Sequence, residues 1–135
     1  YWEHIKFAAV TVNVLPTDQT ERYCLNLLCS LLSGKAQCWF ALDSDRNIKL
    51  VLISAIRKDL GEVGHLWIDA AFGYKATTQE EKTELIDSMT KFARNVGCGT
   101  VTAFTSSNVA GLACEKMGMK KVHDVYSVQV GGAHG

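Results

Sequence analysis

His65, Trp67 and Asp69 alternate along one short run, so in an extended strand they share a face while Leu66, Ile68 and Ala70 share the other. A histidine titrating near neutrality and a carboxylate, with an indole between them, make a wall able to bind a polar ligand and accept a proton. The same alternation also describes an ordinary solvent-facing strand. Other chemistry-bearing residues are dispersed. The five cysteines, Cys24, Cys29, Cys38, Cys98 and Cys114, form no CxxC pair. Their odd count and mostly apolar surroundings read as packed free thiols in a reducing, cytoplasmic compartment. His4, His65, His123 and His134 lack zinc-ligand spacing, so no metal is expected.

Composition narrows the class of partner. The chain has 135 residues, 14 basic and 14 acidic side chains and 47% apolar residues. That length favours one domain, 1–135, and that apolar content separates it from disordered chains. Balanced charge gives no footprint for nucleic acid or anionic lipid, and the apolar runs are too short to span a membrane. No basic region followed by an apolar stretch opens the chain, and the absence of an initiator Met leaves room for residues upstream.

The elements that position these residues follow from punctuation and periodicity. Ile5 to Val14, rich in Val, Ile and Phe, reads as a strand ended by Pro16. Asp18 with Glu21 forms a capping-box pattern, and Cys24, Leu27, Leu28, Leu31 and Leu32 recur at helical spacing up to Gly34. Gln37 to Leu42, Ile48 to Ile56 and His65 to Ala71 read as three adjacent antiparallel strands. Thr77 or Thr78 caps a helix, with Glu80 or Glu81 completing the box and Gly97 ending it. Thr100 to Thr105 is a β-branched strand. Ser106, Ser107 or Asn108 then caps a short helix stopping at Gly118, and Lys121 to Val130 reads as a terminal strand. The expected fold is α+β, order β-α-β-β-β-α-β-α-β, with a mixed, mostly antiparallel sheet and helices on both faces.

The segment Asn108 to Val122, with this order, resembles the GNAT superfamily of acetyl-CoA-dependent N-acetyltransferases. Members commonly close with a stretch like A-x-x-x-Y-E-K-L-G-F-x-x-V. Ala110, Glu115, Lys116, Gly118 and Val122 match it, and Met117 and Met119 replace Leu and Phe. The resemblance implies that the fourth and fifth strands splay apart around the pantetheine arm. It also implies that the pyrophosphate rests at the N-terminus of the helix after the fourth strand, a natural anion site.

Carried onto this chain, the resemblance places acetyl-CoA along the backbone of Ile68, Ala70 and Ala71. Its pyrophosphate would lie near Lys75, Ala76, Thr77 and Thr78, with Ser107 and Asn108 as further contacts. The family's Q/R-x-x-G-x-G/A signature is absent here, and Gly73 is the only glycine between Phe72 and Glu81. Where many members carry a tyrosine that protonates the departing thiolate, this chain has Cys114. A thiol of ordinary pKa near 8.5 suits that role, as does packing inertly. Cys114 is expected in the N-terminal half of its helix, which favours a thiolate. His65 or Asp69 would accept the amine proton, and Tyr74 and Tyr126 are further substrate contacts.

Two functions follow. One is acetyl transfer from acetyl-CoA to a small-molecule or protein amine by direct attack. The other is a non-catalytic GNAT-like binding or assembly module, favoured by the missing glycines and the cysteine. Edge pairing through the terminal strand is a route to a homodimer.

Overall fold

Ile5, Ala8 and Ala9 recur at i, i+3 and i+4, and all three are buried. That spacing makes the opening segment helix α1 (Trp2–Asn13), correcting the expected strand from Ile5 to Val14. Its Val and Thr residues favour extended backbone, but burying one helical face against the sheet outweighs that preference. The computed structural model describes residues 1–13, 17–103, 114–115, 118–122 and 126–128, without the side chains of 11–13 and 17–18. The proposed Asp18–Glu21 cap therefore lies outside the described side chains.

Helix α2 (Thr17–Ser33) buries Cys24 and Leu27 and ends at Gly34. Strands β1 (Ala36–Leu42), β2 (Ile48–Lys58) and β3 (Gly64–Gly73) pair antiparallel, as expected. One aspartate organises each connecting turn. Asp43 Oδ1 accepts the N–H groups of Asp45 and Asn47, and Asp59 Oδ1 those of Gly61 and Val63. Such side chains mimic a backbone turn and fix loop length. Helix α3 (Gln79–Asn95) then crosses over, so β4 (Cys98–Ala103) joins β3 in parallel and the sheet order is β1-β2-β3-β4. Gly97, at φ +82°, takes the left-handed position that ends α3.

Each face of the sheet has its own core. Ile5, Ala8, Ala9 and Leu27 of the first two helices cover Val51, Ile53 and Ala70. Leu85, Met89 and Ala93 of α3 cover Leu52, Leu66 and Ile68 on the other face. The one buried polar side chain named among these residues, Ser54, is satisfied on both sides. The Trp39 indole donates to its hydroxyl, which donates to Gln37 Oε1, each at 2.9 Å.

The chain falls into two compact units, Tyr1–Phe104 and Thr105–Gly135. In the second, the Met119 N–H bonds the Cys114 carbonyl and the Gly118 N–H bonds the Glu115 carbonyl, with Gly118 at φ +88°. This paired pattern is the helix stop read from the sequence at Gly118. The terminal strand expected from Lys121 to Val130 is not formed at Lys121, Val122 or Tyr126 to Val128, which lie outside any strand. Val122, Tyr126 and Val128 are exposed, so the alternation that suggested a strand finds no buried face.

Candidate active site

The site starts from a slip in the register of β3. Ser54 pairs with Ile68 and Ile53 with Ala70, leaving Asp69 without a counterpart on β2. Such a bulge adds one residue and re-aims the strand. Here it lets Leu66 and Ile68 pack under α3 while Ala70 and Phe72, two and four residues on, pack under α1. On the other side, β3 pairs with β4 from Gly64↔Cys98 to Ile68↔Ala103. From Asp69 to Gly73 it finds no backbone partner on that side among the described residues. Among the described residues, then, the β4 side of β3 is unpaired from the bulge to the loop that leads into α3.

The mouth of α3 is closed by a reciprocal cap. Thr78 Oγ1 accepts the Glu81 N–H at 3.1 Å, and Glu81 Oε1 accepts the Thr78 N–H at 2.9 Å. The Lys49 ammonium donates to both Glu81 oxygens, at 2.8 and 2.9 Å. Lys49 first, then Thr78, holds the Glu81 carboxyl below its ordinary value. The Lys49 carbonyl also accepts the N–H groups of Tyr74 and Lys75, and the Tyr74 hydroxyl donates to the His4 carbonyl at 2.7 Å. The loop from Gly73 to Thr78 is thus pinned to β2 and α1 through Tyr74 and Lys75 rather than through glycines. Lys75, expected to face a phosphate, pairs instead with Asp43 at 2.7 Å and pulls that carboxyl down to about 2. Ala71 and Ala76 are exposed and Thr77 half-buried.

Thr78→Ala removes the cap acceptor and is expected to cost about 1 kcal/mol, read from urea unfolding near neutral pH. The sign of the acid response also follows. A lowered carboxyl pKa stabilises above the unfolded value, near 4.5 for Glu81, and that contribution fades as pH falls through the folded value. Lys49→Met is therefore expected to flatten this part of the acid response.

The structure keeps His65, Trp67 and Asp69 on the face away from α3 but gives them separate partners. Asp69 accepts from Arg57 Nη2 at 2.8 Å, and the Arg57 guanidinium lies 5.8 Å from the centre of the Trp67 ring. His65 stands nearer the start of β3, with Nε2 2.9 Å from Asp59 Oδ2 and Nδ1 2.8 Å from Thr100 Oγ1. Thr100 Oγ1 lies 2.9 Å from Thr102 Oγ1. Sequence reading missed Lys49, Arg57, Asp59 and both threonines as partners. The capping spacing pointed to Glu81, but nothing local pointed to Lys49.

Cys114 is the first carbonyl acceptor of the Gly118 stop, which puts it in the last turn of its helix. That corrects its expected place in the N-terminal half. The dipole there opposes a thiolate, and burial, then Glu115, pushes the thiol up. Ser107 and Asn108 lie outside the described residues. All five cysteines are free. Cys29 is exposed, whereas burial pushes the Cys38 thiol up to about 11. Iodoacetamide under native conditions is expected to label Cys29 first and Cys38 at least ~10-fold more slowly, read by peptide mass mapping.

Among the described residues no three His, Cys, Asp or Glu side chains cluster as metal ligands, and no helix is long and apolar enough to cross a membrane. A cavity of about 220 Å³ lies between β1 and α3, bordered by Phe40, Leu42, Glu84 and Ser88. It lies along β1, the edge strand opposite β4, and Glu81 of the α3 cap also borders it.

No family model matches the sequence, and no curated protein matches it. Solved structures do. A putative acetyl transferase from Pyrococcus furiosus superposes with a TM-score of 0.71 at 18% identity, over 96% of this chain and 94% of the other. Aminoglycoside 6'-N-acetyltransferase AAC(6')-Ih from Acinetobacter baumannii gives 0.70 at 10% identity, over 96% and 92%. The chain has the GNAT acetyltransferase fold. A further solved structure, AAC(6')-Iy in complex with the bisubstrate analogue CoA-S-monomethyl-acetylneamine, gives 0.72 at 15% identity, over 95% and 90%. The GNAT fold accounts for the mixed sheet, the helices on both faces and the parallel strand after α3.

Proposed function

We propose that this GNAT-fold chain is an acyl-CoA-dependent N-acyltransferase, moving an acetyl group from acetyl-CoA to an amine on a small molecule or protein. The observation carrying this reading is the bulge at Asp69, from which five residues of β3, Asp69 to Gly73, have no β4 partner among the described residues, just before the loop that leads into α3. The backbone amides and carbonyls of Ala70 and Ala71 beyond Ile68, which face no strand on the β4 side among the described residues, suit an amide-bearing arm. Pairing of Glu81 with Lys49 removes much of the repulsion that an acidic helix start would exert on a diphosphate beside Thr77 and Thr78. Lys75 would add a point charge after exchanging Asp43 for phosphate, and Ala76 lets the loop approach closely.

Acetyl-CoA supplies an acyl group activated as a thioester. The acceptor nitrogen attacks the carbonyl carbon, the C–N bond forms, the C–S bond breaks, and the amine gives up a proton. Asp69, held by Arg57 where the edge opens, attracts and orients the acceptor ammonium, and Asp69 or His65 accounts for the proton. The resemblance assigns Cys114 to return a proton to sulfur, and Ser107 and Asn108 to hold the cofactor. A neutral thiol fits the Cys114 role. Free cysteines accord with a reducing, cytoplasmic setting.

Calorimetric titration of the full chain with acetyl-CoA tests the reading, followed by thiol release with neamine, spermidine and a lysine peptide as acceptors. Saturable binding and release with one acceptor are expected; no heat at millimolar ligand would overturn it. The non-catalytic module remains the second reading, favoured by the commitment of Lys75 to Asp43.

A further inference from the structure

Asp59, His65, Thr100 and Thr102 join three elements in one run of hydrogen bonds: the β2–β3 turn, β3 and β4. The contacts are 2.9 Å from Asp59 Oδ2 to His65 Nε2, 2.8 Å from His65 Nδ1 to Thr100 Oγ1, and 2.9 Å from Thr100 Oγ1 to Thr102 Oγ1. Thr102 is in register with Trp67, one step before the last β3–β4 pair, Ile68↔Ala103. The run therefore leads from an exposed turn to the last β3–β4 pair among the described residues. It lies on the face away from α3, opposite the side that holds the helix mouth.

One end fixes the direction of every donor. Asp59 Oδ1 already accepts the N–H groups of Gly61 and Val63, and contact with His65, then these amides, holds its carboxyl below its ordinary value. A carboxylate accepts only, so the ring proton sits on Nε2 and Nδ1 of the neutral imidazole is bare. Nδ1 must then accept from the Thr100 hydroxyl, whose oxygen accepts from Thr102. The Thr102 hydroxyl donates in this run, so its oxygen keeps its lone pairs as acceptor sites.

We propose that Thr102, Thr100 and His65 carry away the proton lost by the acceptor amine, with Asp59 steadying the imidazolium so formed. This rests on the transferase reading above and completes it, because Asp69 is engaged by Arg57 and serves to orient the amine. As the C–N bond forms, the nitrogen passes a proton to Thr102 Oγ1, Thr102 passes its own to Thr100 Oγ1, and Thr100 passes its own to His65 Nδ1. Imidazolium and Asp59 carboxylate remain, and the Nε2 proton leaves to solvent at the turn. Thr102 touches the substrate; Thr100, His65 and Asp59 act through it. The other charges nearby are Arg57, in register with His65 on β2, and the exposed Lys58–Glu62 pair of the same turn.

Two measurements test the path. Heteronuclear NMR of the His65 ring nitrogens in the intact chain is expected to show the proton on Nε2 near neutral pH. A proton on Nδ1 would reverse the donors and overturn the path whatever the activity. Thr100→Val and Thr102→Val are then compared using whichever of neamine, spermidine or the lysine peptide turns over. Loss of kcat by about 100-fold is expected, with acetyl-CoA affinity unchanged and recovery in Thr100→Ser and Thr102→Ser. Turnover in Thr100→Val equal to that of the unaltered chain would overturn the path while leaving the transferase intact. Failure of the unaltered chain to bind acetyl-CoA is a different result, and sinks the transferase reading itself.

Discussion

Leu66→Ala is expected to lower unfolding free energy by about 2–5 kcal/mol, the range for truncating a fully buried leucine. Leu66 has no exposed surface and packs with Leu52, Ile68, Leu85, Met89 and Ala93. It also pairs on both sides, with Ile56 of β2 and Val101 of β4, so the surrounding backbone has little freedom to collapse into the space left behind. Urea unfolding near neutral pH reads the effect as a lower midpoint at unchanged slope. Leu60→Ala is the control, because Leu60 lies fully exposed in the β2–β3 turn and its loss should stay within about 0.5 kcal/mol. A loss at Leu66 no larger than at Leu60 would mean that α3 is not seated on this cluster.

The parts of the fold legible in the sequence are those whose signals are local. Thr78 and Glu81 stand three apart because the cap needs that spacing, and Gly97 and Gly118 stand where the backbone turns left-handed. The three antiparallel strands were legible because each lies between turn formers such as Asp43 and Gly61. Residues 5–14 misled because Val and Thr carry an extended preference; the decisive i, i+3, i+4 spacing consisted of one isoleucine and two alanines. Alanine is a weak hydrophobic signal, and its burial depends on what the sheet presents.

The candidate site was legible only as a face. His65, Trp67 and Asp69 do share one, but alternation says nothing of register, and register decides which partner each residue meets. The bulge at Asp69 comes from two cores asking for different parity on one strand, Ile68 under α3 and Ala70 under α1. The contacts of Lys49 with Glu81 and of His65 with Thr100 span 32 and 35 residues, and no spacing rule reaches so far. The loop with Gly73 as its single glycine looked like the loss of a binding device. Its backbone is instead pinned by the Lys49 carbonyl, a constraint that composition does not record.

Ala71→Trp is expected to leave stability unchanged and to weaken acetyl-CoA binding at least ~100-fold, about 2.7 kcal/mol. Ala71 is in register with Leu52, so its side chain stands on the α3 side of the sheet, within the stretch that has no β4 partner among the described residues. It is exposed, and an indole there meets solvent rather than core. The same indole would occupy the approach from the helix mouth to the strand edge, and a clash of this kind rejects a ligand more sharply than losing one contact. Calorimetry reads the affinity and urea unfolding the stability. Leu60→Trp, in the exposed β2–β3 turn, controls for adding an aromatic to the surface and should alter neither. Full affinity in a folded Ala71→Trp chain would mean that acetyl-CoA does not run along β3, and the bulge at Asp69 would then serve only to let one strand feed two cores.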